Sequence, residues 1–340
     1  MKKQALFYAM VIYPAIVVLL LSLTSCEKEK EPPASETTIR VLFSVSGLGD
    51  MSYSDNILRG ILQAQKEQYF RLEYIIPKDK NEAEQIIRQW QTNDDPQYYF
   101  NIIADSDYED VVRKLMPAKD TPNYLFFDTR SKDFTIPVFH TTGYGVSFLA
   151  GVAAFSQVNA ETAAYMGGYT GESYIEECFD GFRDGYLYAG GKQVVRADLS
   201  NTAQGFSMPQ KAYSMAESLY KLYPFIYAMA GSSNNGIYQY LREHPQQIAY
   251  TAGVDTDQSA YSTKIIGSMI KDLGLCVKQY IISWLNGQSL PMQEYYSLDS
   301  GFISFKVADL YKDNLEQIVA NHWQIAKEKE IEYEKNKGTY

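Results

Sequence analysis

The chain reads as an α/β protein of two similar lobes, each a doubly wound parallel sheet flanked by helices. Three observations predict this. From Thr38 to about residue 254, short apolar runs of strand length alternate with segments of helical periodicity. The alternation pauses at one small-residue, nearly all-apolar stretch, Gly143 to Gln157, and then begins again. Polar turns also stand at the carboxyl ends of strands in both halves, Gly47 to Asn56 (GLGDMSYSDN) and Gly253 to Gln258 (GVDTDQ). In open α/β sheets ligands bind in the crevice beyond the strand ends, so these two turns are expected to face each other across one cleft. The length, 340 residues, exceeds one typical core and suits two lobes.

The elements follow in order. Residues 38–141 form the amino-terminal lobe, with strands at Arg40–Ser46, Leu72–Ile76, Phe100–Ala104, Tyr124–Phe127 and Pro137–Phe139. Its helices are Asp55–Tyr69, with Ile57, Ile61, Leu62 and Gln65 at helical spacing, then Glu82–Trp90 and Glu109–Leu115. Residues 142–263 form the carboxy-terminal lobe. It opens with the Gly143–Gln157 helix, which is apolar all round and therefore buried, and too short to span a bilayer. Strands Ala163–Gly167, Gln193–Ala197, Phe225–Met229 and Gln247–Val254 then alternate with helices Ile175–Tyr188, Pro209–Leu222 and Gly236–Glu243. Residues 264–340 are predicted to return through the hinge. Ile265–Leu285 reads as one long amphipathic helix completing the amino-terminal lobe, Glu294–Phe305 as one strand, and Phe305–Lys335 as a closing helix whose charged end is a solvated face.

The amino terminus bounds the location. Lys2 and Lys3 precede an apolar stretch from Ala5 to Leu23, the layout of a signal peptide over residues 1–25. Leu23-Thr24-Ser25-Cys26 resembles the lipobox of bacterial lipoproteins, in which the cysteine is acylated and becomes the first residue. An uncleaved membrane-spanning helix is the alternative, since the run approaches the ~20 residues needed. The charged, proline-containing segment directly after Cys26 favours the lipoprotein, with residues 26–37 a flexible tether. The expected location is the bacterial cell envelope, lipid-anchored to a membrane and facing the periplasm or exterior. Signal cleavage removes two lysines and no acid, making the chain still more acidic than its formal −10, which argues against a nucleic-acid partner. Cys178 and Cys276 are the remaining thiols, and an oxidising envelope would permit a bond between them.

Enzyme chemistry finds little purchase. The histidines, His140, His244 and His322, are scattered without metal-ligand spacing, so neither a metal nor a cofactor is expected. There is no G-x-S-x-G elbow, and Gly47-Leu48-Gly49-Asp50 lacks the third glycine of a dinucleotide fingerprint and the lysine of a P-loop. An aspartate at that point would repel phosphate. Ionised carboxylates accept hydrogen bonds from vicinal hydroxyls. Asp50, Asp105 and Asp255 each fall at or just beyond a predicted strand end. Any one of them alone reads more simply as an Asx turn or helix cap. Three recurring at strand ends of two lobes shift the balance toward a binding site.

The first turn, Gly47-Leu48-Gly49-Asp50-Met51-Ser52-Tyr53-Ser54, is similar to the motif Gly-x-x-Asp-Lys/Arg-Ser-Phe-Asn. In order after it stand Phe148-Leu149-Ala150-Gly151, Gly167-Gly168, Gly181-Phe182-Arg183-Asp184-Gly185, Gly253-Val254-Asp255-Thr256-Asp257-Gln258 and Ser268-Met269-Ile270-Lys271. This ordered set, over roughly residues 40–305, resembles the basic membrane protein family of substrate-binding lipoproteins, whose members include purine nucleoside receptors feeding ABC transporters. The resemblance implies a two-lobed, type I periplasmic-binding-protein-like fold and a ligand-binding monomer that is not an enzyme, with an ABC permease as partner. It implies that Asp50 and Asp255 hold ribose hydroxyls, that Lys271 reaches the cleft and offsets their charge, and that Tyr53 and Phe206 clamp the base. Gly231 would supply a backbone contact, and Asp105 is a looser match. Met51 departs from the family's basic residue, and Ser54, also at the site, replaces an asparagine with a shorter hydroxyl. The alternatives are a binding or sensory surface lipoprotein without a transporter, and a nucleoside-processing enzyme.

Overall fold

The structure is a computed structural model that describes residues 37–116, 123–129, 131 and 133–337. Two six-stranded sheets organise it. In lobe 1, strands β1 (Thr38–Leu42), β2 (Arg71–Ile75), β3 (Tyr99–Ile103), β4 (Tyr124–Phe127), β5 (Val138–Thr141) and β11 (Gln293–Tyr296) pair in parallel in the order β2-β1-β3-β4-β5-β11. In lobe 2, strands β6 (Thr162–Tyr169), β7 (Gln193–Ser200), β8 (Phe225–Met229), β9 (Tyr250–Gly253), β10 (Ile265–Lys271) and β12 (Ile303–Val307) repeat that order as β7-β6-β8-β9-β10-β12. Only the β10–β12 pair is antiparallel. In both sheets the strand order reverses beside the first strand, and the crevice at that switch point is a ready-made ligand site.

Helices cover both faces of each sheet. In lobe 1, α1 (Tyr53–Glu67) and α8 (Leu273–Leu285) pack on one face, and α2 (Lys80–Thr92) and α3 (Glu109–Leu115) on the other. In lobe 2, α4 (Tyr144–Val158), α5 (Ser173–Tyr188) and the long α9 (Lys312–Lys337) face α6 (Pro209–Leu219) and α7 (Asn234–Glu243) across the sheet. Strands buried on both faces are near-continuous apolar runs, as parallel sheets require. Phe127 and Phe139 on adjacent strands stack at 4.8 Å, each fully buried, and a buried side chain of this size contributes about 1.5–3 kcal/mol. The glycines of the Phe148–Gly151 and Gly181–Gly185 motifs serve packing. A Cβ on Gly185 would stand 2.0 Å from the Phe148 carbonyl, and one on Gly151 2.3 Å from that of Phe182, so α4 and α5 touch backbone to backbone.

Three expectations for the last third of the chain are overturned. Ile265–Leu285 is not one helix: Ile265–Lys271 is strand β10, and α8 starts only at Leu273, after Asp272 accepts the Leu275 N–H as its cap. The strand is covered on both faces and flanked by β9 and β12, so its apolar run shows no alternation that would separate it from the apolar helix after it. Glu294–Phe305 is likewise two strands in different sheets, parted around Gly301, whose φ of +81° marks the turn. The closing helix begins at Lys312 rather than Phe305.

The chain thereby crosses between lobes three times among the described residues: from β5 to α4, from β10 to α8, and from β11 to β12. Cys178 and Cys276 are free thiols, each buried in the core of a different lobe. Cys26, the predicted lipidation site, and the predicted signal peptide and tether lie outside the described residues.

Candidate functional site

The cleft between the lobes is a space of about 840 Å³, part of it open to solvent. Its walls are the carboxyl ends of strands and the turns and first helical turns that follow them. Asp50, Tyr53, Ser54 and Asp105 come from lobe 1, and Phe206, Gly231, Asp255 and Lys271 from lobe 2; the cleft gathers all eight residues singled out from the sequence. The two polar turns touch. The Ser52 hydroxyl donates to the Asp255 carboxylate, the Thr256 hydroxyl donates to the Met51 carbonyl at 3.1 Å, and the Gln258 amide to the same carbonyl at 3.3 Å.

The first turn is held by two aspartates acting in opposite directions. Gly47, Gly49 and Met51 all have positive φ, a conformation glycine adopts without steric penalty. Asp55 accepts the Gly49 and Met51 N–H groups, both at 2.8 Å. Asp50 accepts those of Ser52 at 2.9 Å, Ser54 at 2.8 Å and Asp55 at 3.2 Å, which makes it the capping carboxylate of α1. Burial raises its pKa against those three bonds. Most of its acceptor capacity therefore points at the backbone of its own turn.

Lys271 has a partner that sequence reasoning did not name. Its ammonium, 2% exposed, pairs with Asp128, the residue that follows β4. It lies 3.6 Å from the centre of the Tyr174 ring and 5.3 Å from that of Tyr53, close enough for cation–π attraction. Burial pushes Asp128 up, but the Lys271 ammonium and the His140 ring together outweigh it and hold the carboxyl well below the usual range. Burial pushes Asp255 up, and Lys271 opposes this without cancelling it. Asn56, also unremarked in the sequence, fastens α1 to this corner. Its amide donates to the Lys271 carbonyl at 3.1 Å and its oxygen accepts the Gly274 N–H at 2.9 Å.

The far end of the cleft is acidic and aromatic. Phe206 lies over Gly168, where a Cβ would stand 2.2 Å from the ring, and meets Tyr169 edge-on at 5.6 Å. The Ser232 hydroxyl donates to the Phe206 carbonyl at 2.7 Å, fixing the loop that carries the ring. Glu172 caps α5 by accepting the Ile175 N–H at 2.8 Å, and Asp105 accepts the Asp107 N–H at 2.9 Å. Although both side chains reach the cleft, burial pushes Asp105 up to about 6 and Glu172 up to about 7. The folded state thus holds protons that the unfolded chain releases between about pH 4 and 7, so stability falls as pH rises through that window. The urea midpoint of the ligand-free protein should drop from pH 5 to pH 8, and Glu172→Gln should flatten the drop nearest pH 7. An unchanged profile in the variant would remove Glu172 from this account.

Among the described residues no group of three or more His, Cys, Asp or Glu is placed to hold a metal ion, and no helix is long and apolar enough to cross a membrane. The arrangement offers carboxylate acceptors, one neutralised ammonium and flat aromatic walls, which is equipment for holding a ligand.

The fold is shared with solved solute-binding proteins. One from an ABC transporter system of Aeropyrum pernix K1 superposes with a TM-score of 0.70 at 17% identity, covering 88% of this chain and 86% of that one. GanP, a glucose-galactose binding protein from Geobacillus stearothermophilus, gives 0.59 at 18%, covering 81% and 98%. An ABC transporter solute-binding protein from Burkholderia graminis C4D1M, in complex with D-arabinose, gives 0.61 at 13%, covering 82% and 96%. These likenesses identify the type I periplasmic-binding-protein architecture. Among curated proteins none matches the chain. The family model for PnrA-like ABC transporter substrate-binding proteins matches residues 38–337, nearly the whole of the described fold, and the chain belongs to that family, Bmp.

Proposed function

We propose that this substrate-binding protein captures a nucleoside-like molecule in the cleft and delivers it to an ABC importer from a lipid-anchored position. The observation that carries the reading is the pairing of a buried acceptor with flat rings in one cavity. Asp255, 8% exposed, accepts from Ser52 and lines the same space as Tyr53, Tyr169, Tyr174 and Phe206. Hydroxyls of a ribose suit the first and a planar base the second. Contact with both lobes at once is what favours closure.

The same walls disfavour phosphate. Among the described residues, Asp50, Asp105, Asp107, Asp128, Glu172 and Asp255 line the cleft against the single cation Lys271, which Asp128 already engages. Like charge in an enclosed site lowers affinity by about tenfold or more. Calorimetry with nucleosides, their monophosphates, free bases and free sugars tests this directly. Nucleosides should bind and their monophosphates at least about tenfold more weakly. Tight binding of a monosaccharide with none of any nucleoside would end the nucleoside reading.

Support for the anchor comes from the lipobox-like Leu23–Cys26 and from the side of lobe 1 on which β1 starts. Thr37 precedes β1 at the amino end of the lobe 1 sheet, opposite the strand ends that carry the ligand cleft. Cys26→Ser should move the protein from the membrane to the soluble fraction; retention in the membrane would favour an uncleaved span.

A further inference from the structure

The three interlobe crossings are tied together by two buried carboxylates, one facing the cleft and one behind it. On the cleft side, Asp128 accepts the Thr141 N–H at 2.8 Å and the Thr141 hydroxyl at 2.7 Å, and it pairs with Lys271 at the second crossing. Behind the cleft stands Glu330, from the carboxy-terminal helix α9, 1% exposed and absent from the cleft lining. It accepts the Thr142 hydroxyl at 2.7 Å and the Gly145 N–H at 3.1 Å in the first crossing, and the Leu298 N–H at 3.0 Å in the third. Those two crossings also bond directly, Thr142 N–H to the Tyr296 carbonyl at 2.9 Å.

Glu330 is fitted to its place. A Cβ on Gly145 would lie 2.9 Å from its carboxylate oxygen, so the carboxyl occupies the space this glycine leaves. A carboxylate is buried only when donors compensate it, and here the donors belong to two separate segments that must both bend when the lobes rotate. Tyr333, one turn further along α9, stacks on Tyr144 at 4.5 Å and holds the helix against the same crossing. Glu177 shows the contrast. It accepts the Gly143 and Tyr144 N–H groups at 2.7 and 3.0 Å, both from the first crossing.

We propose that Glu330 is a hinge-positioning residue: by joining the first and third crossings it makes them bend together, so that one lobe rotates against the other about a single axis, and thereby lets the carboxy-terminal helix set the balance between open and closed cleft. Hinge closure is absorbed by a few residues at element ends, and Thr141 and Thr142, with carboxylates on opposite sides, are those residues in the first crossing. The consequence is control of ligand affinity from a helix that never meets the ligand.

The test needs no ligand and is therefore independent of which solute the cleft takes. Spin labels are placed at Gln63→Cys in lobe 1 and Ser218→Cys in lobe 2 of the full chain carrying Cys26→Ser, the native Cys178 and Cys276 being buried. The interlobe distance distribution is then measured by pulsed electron resonance. Glu330→Gln and Thr142→Val should each broaden it and move the ratio of open to closed forms by roughly fivefold, the effect of one hydrogen bond lost from one state. Thr142→Ser, which keeps the hydroxyl, should restore the parental distribution. A parental distribution in Glu330→Gln, even with lowered stability, would reduce Glu330 to a packing role. Should that variant fail to fold, a parental distribution in Thr142→Val would have the same force.

Discussion

Replacing Lys271 with methionine is expected to remove about 3–5 kcal/mol of folding stability, the usual consequence of leaving one member of a buried ion pair behind. Lys271 and Asp128 have side chains 2% and 5% exposed. Without the ammonium, the two Thr141 bonds would still hold one Asp128 oxygen, and the other would lose the Lys271 ammonium that donates to it. Methionine roughly keeps the volume, so the loss is electrostatic rather than a cavity. The double variant Asp128→Asn, Lys271→Met should recover most of the stability, because removing both charges also removes their desolvation. Asparagine is the right partner, since Asp128 has a φ of +104° that a bulkier residue would resist. Urea unfolding of both variants decides the matter. A single variant within 1 kcal/mol of the parent, in the scale of ordinary surface substitutions, would mean that the pair is solvated and that Lys271 is free to meet ligand.

That pair also marks where the sequence stops being informative. Asp128 carries the same signal as Asp105, an acid directly after an apolar strand, and was open to the same reasoning. Its bond to Lys271 spans 143 residues and depends on how the second crossing is laid against β4, which no local pattern encodes. Tyr169 and Tyr174 were lost among 29 tyrosines whose spacing says nothing of which rings face the cleft. Glu172 looks like any helix cap until lobe 1 closes over it. Asp50, Asp105 and Asp255 were legible because the strand-end rule needs only the strand boundaries, whereas Tyr53, Ser54, Phe206, Gly231 and Lys271 were reached through the ordered family motifs. Hydropathy misled at β10, where a strand buried on both faces runs into an apolar helix. The signal that separates them is Asp272, a capping residue three positions before the N–H it accepts.

Asp255→Asn should weaken nucleoside binding about tenfold or more, the effect of losing a charge-assisted hydrogen bond in a buried site, worth about 1.5–3 kcal/mol. Asparagine is preferable to alanine here. Asp255 has a φ of +62°, a left-handed conformation that Asn tolerates and that would cost alanine about 1–2 kcal/mol. Its side-chain oxygen can still accept from Ser52, so the contact between the two turns survives and folding stability should change little. Asp50→Asn should behave in the opposite sense. Its carboxylate serves three backbone N–H groups of its own turn, so the change should lower the unfolding midpoint more than the affinity. Read together, calorimetry and urea unfolding separate a carboxylate that faces the ligand from one that shapes the loop. If the two variants lose affinity equally and neither loses stability, Asp50 shares the hydroxyls with Asp255. If only Asp50→Asn loses affinity, the assignment of Asp255 as the principal acceptor is wrong.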